Sequence, residues 1–359
     1  MLNIILSLGA ILISVYLLAI ITEEFFIISL DEISKRFKLP SDVAGASLMA
    51  MGSSAPELFI ALIALYRGGI HSDVGIGTIV GSAVFNVLVI TGVSAIVAKE
   101  LVIKAGAVER DIFVYLGSVG ILLWVFIDGE IVMWEAILML VAYIGYLVLL
   151  WIWSRSNPED AAEETIGGGH TKVEEAKGFF GKLSHALTRV FSIVMPNPEK
   201  NYVWVMIASI GFIIGLSYVL VESAVILSTE IGIPPLIVSL TLLAAGTSAP
   251  DLIASMDVAR DGRGTMAVSN AVGSNVFDVL FGLGLPWLIT LFFVDVVVVG
   301  TEGLTESIIL LIVTVVILYI FLYTRRTLTR AEGIILLLVY AAYVIYAIYS
   351  NSAPVIPVA

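Results

Sequence analysis

The sequence predicts an all-α polytopic membrane protein with ten transmembrane helices, arranged as two inverted-topology repeats of five helices each. Three observations predict this class: a high apolar content, a one-sided distribution of basic residues and an internal repeat. The 359 residues have a mean hydropathy of +1.06, and only 13% of them are charged, against roughly 25% in a typical soluble domain. A soluble fold could not cover so large an apolar fraction, which places the chain in a bilayer.

Apolar runs of about 20 residues, the length of a helix that crosses a bilayer, recur along the chain. The predicted spans are 3–22, 43–66, 74–98, 110–128, 131–153, 202–221, 236–258, 266–294, 305–323 and 331–349. The first and sixth are expected to continue past these ends, because 23–34 and 222–231 remain partly apolar. The first run has no basic residues before it, which predicts a retained transmembrane helix and not a cleaved signal peptide.

The longest polar interval, 154–201, separates the fifth span from the sixth. Its mixed charges and glycines predict a mobile linker between a first repeat, 1–153, and a second repeat, 202–359. Near its end, residues 179–195 carry apolar side chains at roughly helical spacing. That spacing fits an interfacial helix, and it fits an ordinary lead-in to the sixth span equally well.

Basic residues predict the orientation of the spans. All 18 Lys and Arg residues except Arg67 follow odd-numbered spans. The positive-inside rule then makes those loops cytoplasmic, including 154–201, and puts both termini outside a cell membrane. A wrong number of spans would have spread the basic residues over both sides, so the pattern also supports ten.

Two pairs of motifs reveal the repeat. "MGSSAPEL" (51–58) matches "AGTSAPDL" (245–252), and "TIVGSAVFNVL" (78–88) matches "NAVGSNVFDVL" (270–280). The candidate ion-site segments that contain them are 50–60, 78–88, 244–255 and 270–280. Because each repeat holds an odd number of predicted spans, the two repeats must enter the bilayer in opposite directions. Inverted repeats are typical of secondary transporters, whose site lies near the bilayer midplane.

Three acids, Glu57, Asp251 and Asp278, lie in the middle of predicted spans. Ionisable groups are costly at that depth and are functional candidates by default. A structural ion pair is disfavoured, because no Lys, Arg or His lies at the same depth of any predicted span. The balancing positive charge is therefore expected to be a proton or a bound cation.

Neutral oxygen-bearing side chains stand at helical spacing from these acids or from each other. They are Ser53, Ser54, Ser82, Asn86, Thr247, Ser248 and Ser274. For a single hydroxyl, a hydrogen bond back to its own helix is the better interpretation. Equivalent placement in both repeats shifts the interpretation towards ion ligands.

Pro56 and Pro250 predict irregular backbone beside two of the acids. Proline has no N–H and clashes with the carbonyl four residues earlier, so each helix is expected to kink or break and to free that carbonyl. The candidate backbone ligands are the carbonyls of Ala50, Gly52, Ala244 and Gly246. Close approach of neighbouring helices is expected at Gly52, Gly81, Gly246 and Gly273.

This ligand set contains carboxylate, amide, hydroxyl and carbonyl oxygens but no histidine, and the chain has no cysteine. Such a set suits Ca²⁺, Na⁺ or K⁺ and disfavours Zn²⁺ or Cu. Three ionised carboxylates would be balanced by Ca²⁺ with K⁺, by three Na⁺, or by Ca²⁺ with one proton. The lack of cysteine also excludes disulfides and cysteine nucleophiles.

The paired motifs resemble the two repeats of the calcium/cation antiporters, and most closely those of the potassium-dependent sodium/calcium exchangers. The resemblance covers about 90 residues in two blocks. It implies that Glu57 and Asp251 coordinate Ca²⁺ in competition with Na⁺, and that the six Ser and Thr hydroxyls line the ion sites. It further implies that Asn86 and Asp278 form a central pair, with Asp278 associated with potassium dependence.

The resemblance implies a secondary-active antiporter that moves Ca²⁺ against Na⁺ by alternating access. Such a protein is not an enzyme, needs no cofactor, and has the lipid bilayer and inorganic cations as its partners; neither nucleic acid nor a protein partner is expected. The 154–201 linker is too short for the folded calcium-sensing domains of some animal relatives. Asp257 departs from the family pattern; its position near Arg260 predicts either a place at the mouth of the site or a solvated side chain beside Arg260, and not a core ligand.

Three alternatives remain beside this interpretation. A Ca²⁺/H⁺ exchanger of the same fold is the first, although the Gly-Asn-x-x-Glu pattern of that branch is absent. A passive cation channel is the second. An intramembrane aspartyl protease also uses buried acids, but it needs Tyr-Asp and Gly-x-Gly-Asp motifs, and "GLGLPW" (282–287) has no aspartate.

Overall fold

The structure is a computed structural model that describes residues 1–37, 50–98, 100–103, 105–156, 179–299 and 304–350. Most of these residues are helical, as the apolar runs predict. The first half contains α1 Leu2–Ile21, α2 Ile27–Phe37, α3 Ala50–Ser53, α4 Ala55–Arg67, α5 Ser72–Phe85, α6 Thr91–Ala98, α7 Ala105–Val125 and α8 Met133–Ser156. It is followed by α9 Phe179–Phe191, α10 Tyr202–Ile231, α11 Pro235–Val238, α12 Ala244–Thr247, α13 Ala249–Arg260, α14 Gly264–Phe277, α15 Gly284–Leu291, α16 Leu304–Arg325 and α17 Arg330–Ser350.

Four π-helical turns, a 3₁₀ turn at Gly69–His71 and four short strands complete the described elements. The π turns are Thr22–Phe26, Asn86–Ile90, Ser239–Leu243 and Asp278–Leu283. The strands are β1 Glu100–Val102, β2 Glu130–Ile131, β3 Val297–Val298 and β4 Thr327–Thr329. β1 pairs antiparallel with β4 and β2 with β3, so each two-stranded sheet joins a loop of residues 1–153 to a loop of residues 202–359.

Among the described residues, seven helical stretches are long and apolar enough to cross a membrane. They are Leu2–Arg36, Gly69–Ala98, Met133–Trp153, Tyr202–Ile231, Gly264–Leu291, Leu304–Tyr323 and Arg330–Tyr349. An eighth forms if Pro235–Thr247 and Ala249–Arg260, which meet at 46°, count as one broken span. The chain is therefore an α-helical polytopic membrane protein, and the count of ten stays a prediction.

The two remaining predicted spans are the second and the fourth. Of the second, 43–66, residues 43–49 lie outside the described residues, and its described part is the pair α3 and α4. The fourth, predicted as 110–128, is α7, which begins earlier, at Ala105. Arg110 and Asp111 are therefore inside the helix, where they form a buried ion pair with Nε and Oδ1 2.8 Å apart. A buried pair of opposite charges is tolerated where a single charge is not.

The predicted continuation of the first and sixth spans is confirmed. The π turn Thr22–Phe26 joins α1 to α2 without a break, and α10 runs to Ile231. Residues 179–191 form the helix α9, whose Phe191 packs against Phe25 and Phe212 with ring centroids 6.4 and 5.3 Å apart. Its apolar side thus lies against the first and sixth spans.

The most buried helices are α5 and α14, which carry the second motif of each pair. Every residue of α5 from Val74 to Phe85 is buried, and α14 is nearly as enclosed. The outer helices α8, α10, α16 and α17 expose many apolar side chains, which is the pattern of surfaces that face lipid.

Glycines set the distance between some of these helices. A Cβ added at Gly81 would overlap the backbone of Leu240, so α5 and the Ser239–Leu243 turn meet backbone to backbone. At Gly52 and Gly246 an added Cβ would lie 2.6 Å from Ile27 and 2.8 Å from Val15.

The close approach predicted at Gly273 is wrong. The nearest atom to an added Cβ there is the Tyr146 hydroxyl oxygen, 3.8 Å away. The aromatic side chain of Tyr146 reaches from α8 towards α14 and fills the space that a neighbouring backbone would otherwise occupy.

Candidate cation site

Two helix breaks stand at the equivalent serines of the first motif pair. Ser54 separates α3 from α4, and Ser248 separates α12 from α13, with φ near −90° and ψ near 0° at both. Pro56 and Pro250 fall in the first turn of the following helices, where a missing N–H is not needed. The predicted kinks are confirmed, and the second bends the span by 46°.

The breaks create two helix N-termini inside the protein, and an acid stands in the first turn of each. Glu57 is in the first turn of α4 and Asp251 in that of α13. The unpaired N–H groups of a helix N-terminus carry partial positive charge, which favours a nearby carboxylate. Each break therefore both positions an acid and stabilises its charge.

The candidate backbone ligands differ in what they already bind. The carbonyls of Gly52 and Gly246 receive no helical hydrogen bond from residues 56 and 250, because proline has no N–H. The Ala244 carbonyl, by contrast, accepts the Ser248 N–H at 3.1 Å. The Gly246 carbonyl is also an acceptor for the Ser248 N–H, so each of these two carbonyls keeps one lone pair for a cation. Ala50 is the first residue of α3.

The two acids of the first motif pair interact with hydroxyls across the repeat boundary. The Thr247 hydroxyl lies within hydrogen-bonding reach of Glu57, and the Ser53 hydroxyl lies within reach of Asp251. Helical spacing alone would place each acid on the same face as the hydroxyl four residues before it. The helix breaks between the two positions, so the nearby hydroxyl comes from the other repeat.

The remaining predicted hydroxyls lie in the same buried region. Ser82 and Ser248 share a hydrogen bond with their Oγ atoms 2.8 Å apart, and the Ser54 hydroxyl lies near Asp278 without a hydrogen bond to it. Ser274 is buried on α14. Thr247 Oγ1 also donates to the Leu243 carbonyl at 3.1 Å, which is the back-bond expected of an isolated hydroxyl in a helix.

An amide that the sequence did not single out lies at the centre of the region. Asn86 Nδ2 donates to Asn275 Oδ1 at 2.9 Å, and Asn275 Nδ2 donates to the Ala83 carbonyl at 3.1 Å. In the repeat alignment Asn275 stands opposite Ala83. A polar residue at a buried position where the other repeat has alanine is unusual, and this difference between the repeats could have identified Asn275 from the sequence.

Four oxygens of this region are buried without a hydrogen-bond partner. They are Glu57 Oε2, Asn86 Oδ1, Asp278 Oδ1 and Asp278 Oδ2. Buried polar atoms are nearly always hydrogen-bonded in proteins, so oxygens left over in one place indicate a partner that the protein itself does not supply, such as a cation, a proton or a water molecule. Among the described residues, no group of three or more His, Asp and Glu side chains could hold a metal ion by itself. A cation bound here would also need hydroxyl, amide or carbonyl ligands.

Charges around the region are almost entirely negative. Asp278 is an electrostatic neighbour of both Glu57 and Asp251. Glu23, in the π turn that follows α1, lies near Asp251; the predicted first span ended one residue before it. The ion pairs formed by Arg67, Arg110 and Arg260 in the described chain go to other acids.

The two ends of this region are packed differently. On the Glu57 side α10 packs along α4, and Arg67 Nε lies 2.5 Å from Glu222 Oε1 of α10. On the Asp251 side Pro250 and Asp251 are only half-buried, and Ile253 is 50% exposed. Asp257 lies further along α13 and accepts a hydrogen bond from Arg260 at 2.9 Å, so it stands beside Arg260 as predicted.

Comparisons with known proteins agree with this architecture. The model of the family described as "Sodium/calcium exchanger protein" matches residues 6–152 and 201–349. Mouse sodium/potassium/calcium exchanger 4 is 28% identical over 93% of this chain and 79% of its own length. Human sodium/potassium/calcium exchanger 5 is 31% identical over 90% of this chain and 79% of its own length.

Solved structures of the sodium-calcium exchanger NCX_Mj share the fold. One, from a crystal soaked with Na⁺ and Sr²⁺, superposes with a TM-score of 0.57 at 23% identity and covers 95% of this chain and 99% of that one. Another, soaked with neither Na⁺ nor Ca²⁺, gives a TM-score of 0.55 at 22% identity.

Proposed function

The chain belongs to the sodium/calcium exchanger family, and from that premise we propose that it is a secondary-active antiporter that moves Ca²⁺ across a membrane against Na⁺. The observation that carries the proposal is the set of unpartnered buried oxygens on Glu57, Asn86 and Asp278. They lie where the four motif segments meet, and a bound cation would satisfy all of them at once. We further propose that Asp278 makes the exchange potassium-dependent. Potassium is named beside sodium and calcium in the names of the curated relatives.

The residues divide into charged and neutral ligands. Glu57 and Asp251 supply the charge that Ca²⁺ needs, and Asp278 adds the third negative charge. The neutral ligands are the side chains of Ser53, Ser54, Ser82, Asn86, Thr247, Ser248 and Ser274 and the carbonyls of Ala50, Gly52, Ala244 and Gly246. Hard cations prefer this all-oxygen set.

Competition for shared oxygens couples the two fluxes. Three carboxylates are balanced either by Ca²⁺ with K⁺ or by three Na⁺, so one load excludes the other. Exchange then needs no bond to be made or broken and no cofactor, which separates this protein from an enzyme. Its partners are the bilayer and the inorganic cations.

We propose that the fold is two inverted repeats of five spans, 1–153 and 202–359, joined by a cytoplasmic linker at 154–201. The reciprocal contacts Glu57–Thr247 and Asp251–Ser53 support this arrangement, because a pseudo-two-fold axis would generate each from the other. The basic residues support termini on the outside of the cell membrane. The tighter packing on the Glu57 side supports a conformation that opens on the Asp251 side.

Purified protein in liposomes tests the function. Vesicles loaded with Na⁺ and diluted into Na⁺-free medium with radioactive Ca²⁺ are expected to take up Ca²⁺, and external K⁺ is expected to raise the rate. The same vesicles under a proton gradient alone are the matched control. Uptake driven by the proton gradient without Na⁺ would identify a Ca²⁺/H⁺ exchanger, and loss of a Ca²⁺ gradient without any counter-ion would identify a channel.

A further inference from the structure

Asn275 is the buried amide on which the orientation of Asn86 depends. It is fully buried, as is Asn86, and the two residues are 189 positions apart in the chain. Its Nδ2 atom lies 3.1 Å from the carbonyl oxygen of Ala83. Its Oδ1 atom lies 2.9 Å from Asn86 Nδ2. The buried Tyr115 side chain also lies near Asn275.

The chemistry of these groups fixes the direction of both amides. A backbone carbonyl can only accept a hydrogen bond, so the branch of Asn275 that faces Ala83 must be the NH₂ group. The other branch, which faces Asn86, must then be the Oδ1 oxygen. An oxygen there accepts a hydrogen bond only if Asn86 turns its own NH₂ group towards it. Asn86 Oδ1 is consequently directed away from Asn275.

The oxygen so exposed is one of the unpartnered buried atoms of the candidate site. With the amide reversed, Asn86 would turn its NH₂ group into a region that holds Glu57, Asp251 and Asp278. Such a group could bind a carboxylate but could not bind a cation. The orientation of one buried amide therefore decides whether position 86 offers a ligand to a cation or competes with it.

We propose that Asn275 is a positioning residue for cation binding: anchored by the Ala83 carbonyl, it holds the Asn86 amide with its oxygen towards the ion. Asn275 touches no ion itself and acts through Asn86. The device is asymmetric, because the first repeat has Ala83 where the second has Asn275. Alanine contributes only its backbone carbonyl, and that carbonyl is the acceptor at which the chain of hydrogen bonds ends.

This inference rests on the proposed function, since it assumes that Asn86 binds a transported cation. Asn275→Ala and Asn275→Leu both remove the anchor. Alanine is the residue that the other repeat carries, and leucine keeps the branching and the number of side-chain heavy atoms of asparagine. Groups that orient a metal ligand typically contribute about 10- to 100-fold in affinity. Both variants are therefore expected to raise the KM for Ca²⁺ in Na⁺-driven uptake by at least about tenfold, with a smaller change in the maximal rate.

The same Asn275 substitutions made in an Asn86→Asp protein separate an effect on the orientation of residue 86 from an effect on packing in general. In Asn86→Asp the side chain ends in two equivalent oxygens, so it presents an oxygen to the ion whichever way it is turned. Replacing Asn275 in that background is expected to leave the KM for Ca²⁺ unchanged, or to lower it by removing the repulsion between Asn275 Oδ1 and the new carboxylate. An equal rise of KM in both backgrounds, or no rise in either, would overturn the proposal.

The control variant is Val272→Ala, one turn away on α14, fully buried and without polar contacts. It is expected to lower the yield and the melting temperature of the protein but not the KM for Ca²⁺. The Ca²⁺ concentration that half-maximally raises the melting temperature gives a second readout that does not need transport. If the parent protein binds Ca²⁺ but does not exchange it for Na⁺, the proposed function fails while this readout still decides the role of Asn275. A parent that neither binds nor exchanges Ca²⁺ overturns both.

Discussion

Asp278 and Asn86 occupy matching positions of the two repeats, and this single difference adds the third negative charge to the candidate site. Both carboxylate oxygens of Asp278 are buried without a hydrogen-bond partner, although the Ser54 hydroxyl lies near them. Removing that charge leaves two carboxylates, which Ca²⁺ alone can balance. With the charge of Asp278 present, Ca²⁺ leaves one negative charge unbalanced, and a monovalent cation such as K⁺ would balance it.

Asp278→Asn is expected to weaken or abolish the stimulation of Ca²⁺ uptake by K⁺ while Na⁺-driven exchange persists. Uptake rates in proteoliposomes over a series of external K⁺ concentrations measure the effect. Asp257→Asn, whose carboxylate is paired with Arg260, is the matched control and should retain the K⁺ response of the parent. A transport-competent Asp278→Asn protein with unchanged K⁺ dependence would refute the assignment.

Glu57→Gln and Asp251→Asn are each expected to reduce Ca²⁺ transport by about 100-fold or more, beyond the usual effect of losing a group that only orients a ligand. The amides are isosteric and can still hydrogen-bond to Thr247 and Ser53, so the loss would report charge and not shape. The rate of Na⁺-driven Ca²⁺ uptake measures the loss. Asp261→Asn, which removes the charge of an exposed aspartate, is the control. Normal exchange in either acid variant would contradict the site.

At the scale of elements, the breaks at Ser54 and Ser248 decide the geometry of the region. Each turns a span into two short helices, so the acid that follows the break leaves the face of the hydroxyl that precedes it. The π turns Asn86–Ile90 and Asp278–Leu283 begin at the two central residues of the second motif pair. Such turns are frequent at functional sites. The first motif pair thus has broken helices, and the second has continuous but locally widened ones.

The contact between α5 and the Ser239–Leu243 turn allows a test of packing. Gly81→Ala places a methyl group against the Leu240 backbone, and overpacking of this kind costs about 1–3 kcal/mol. We expect a lower melting temperature in detergent. Gly273→Ala, at the equivalent position but with only Tyr146 nearby at 3.8 Å, should change it little. Equal effects at the two glycines would show that the asymmetry in packing is absent.

At the scale of the whole molecule, the two ends of the candidate site are closed to different degrees. The Arg67–Glu222 ion pair, with the His71 ring nitrogen 3.7 Å from the same carboxylate, ties α4 to α10 at one end. At the other end, α13 leaves Pro250 and Asp251 half-buried. A transporter that works by alternating access opens its site to one side of the membrane at a time. Any single conformation is therefore expected to have one end of the site packed more tightly than the other.

The inverted arrangement predicts that equivalent spans end on opposite sides of the membrane. The chain has no cysteine, so a single introduced thiol reports its own location. Tyr66→Cys, 89% exposed at the end of the second span, should react with a membrane-impermeant maleimide on intact cells. Asp261→Cys, at the end of the seventh span, should react only after permeabilisation. Labelling of both from the same side would rule the inversion out.

Much of this protein followed from local features of the chain. The apolar runs, Glu57, Asp251 and Asp278, and the prolines that interrupt their helices could be identified in the sequence, because hydropathy, charge and the missing N–H of proline act within a few residues. The repeat identified which positions correspond. The boundaries were weaker: the first span continued past Glu23, and α7 began before Arg110.

Only the tertiary structure decided which oxygen meets which acid. Glu57 faces Thr247 and not Ser53, Asn86 is turned by Asn275, and Gly273 has an aromatic ring where Gly81 has a backbone. These contacts join residues nearly 200 positions apart or depend on how neighbouring helices pack. The sequence by itself determined the class of the protein and the chemistry of its ligands, since both depend on composition and short spacing. The direction of each ligand depends on partners from the other repeat, which only folding brings within hydrogen-bonding distance.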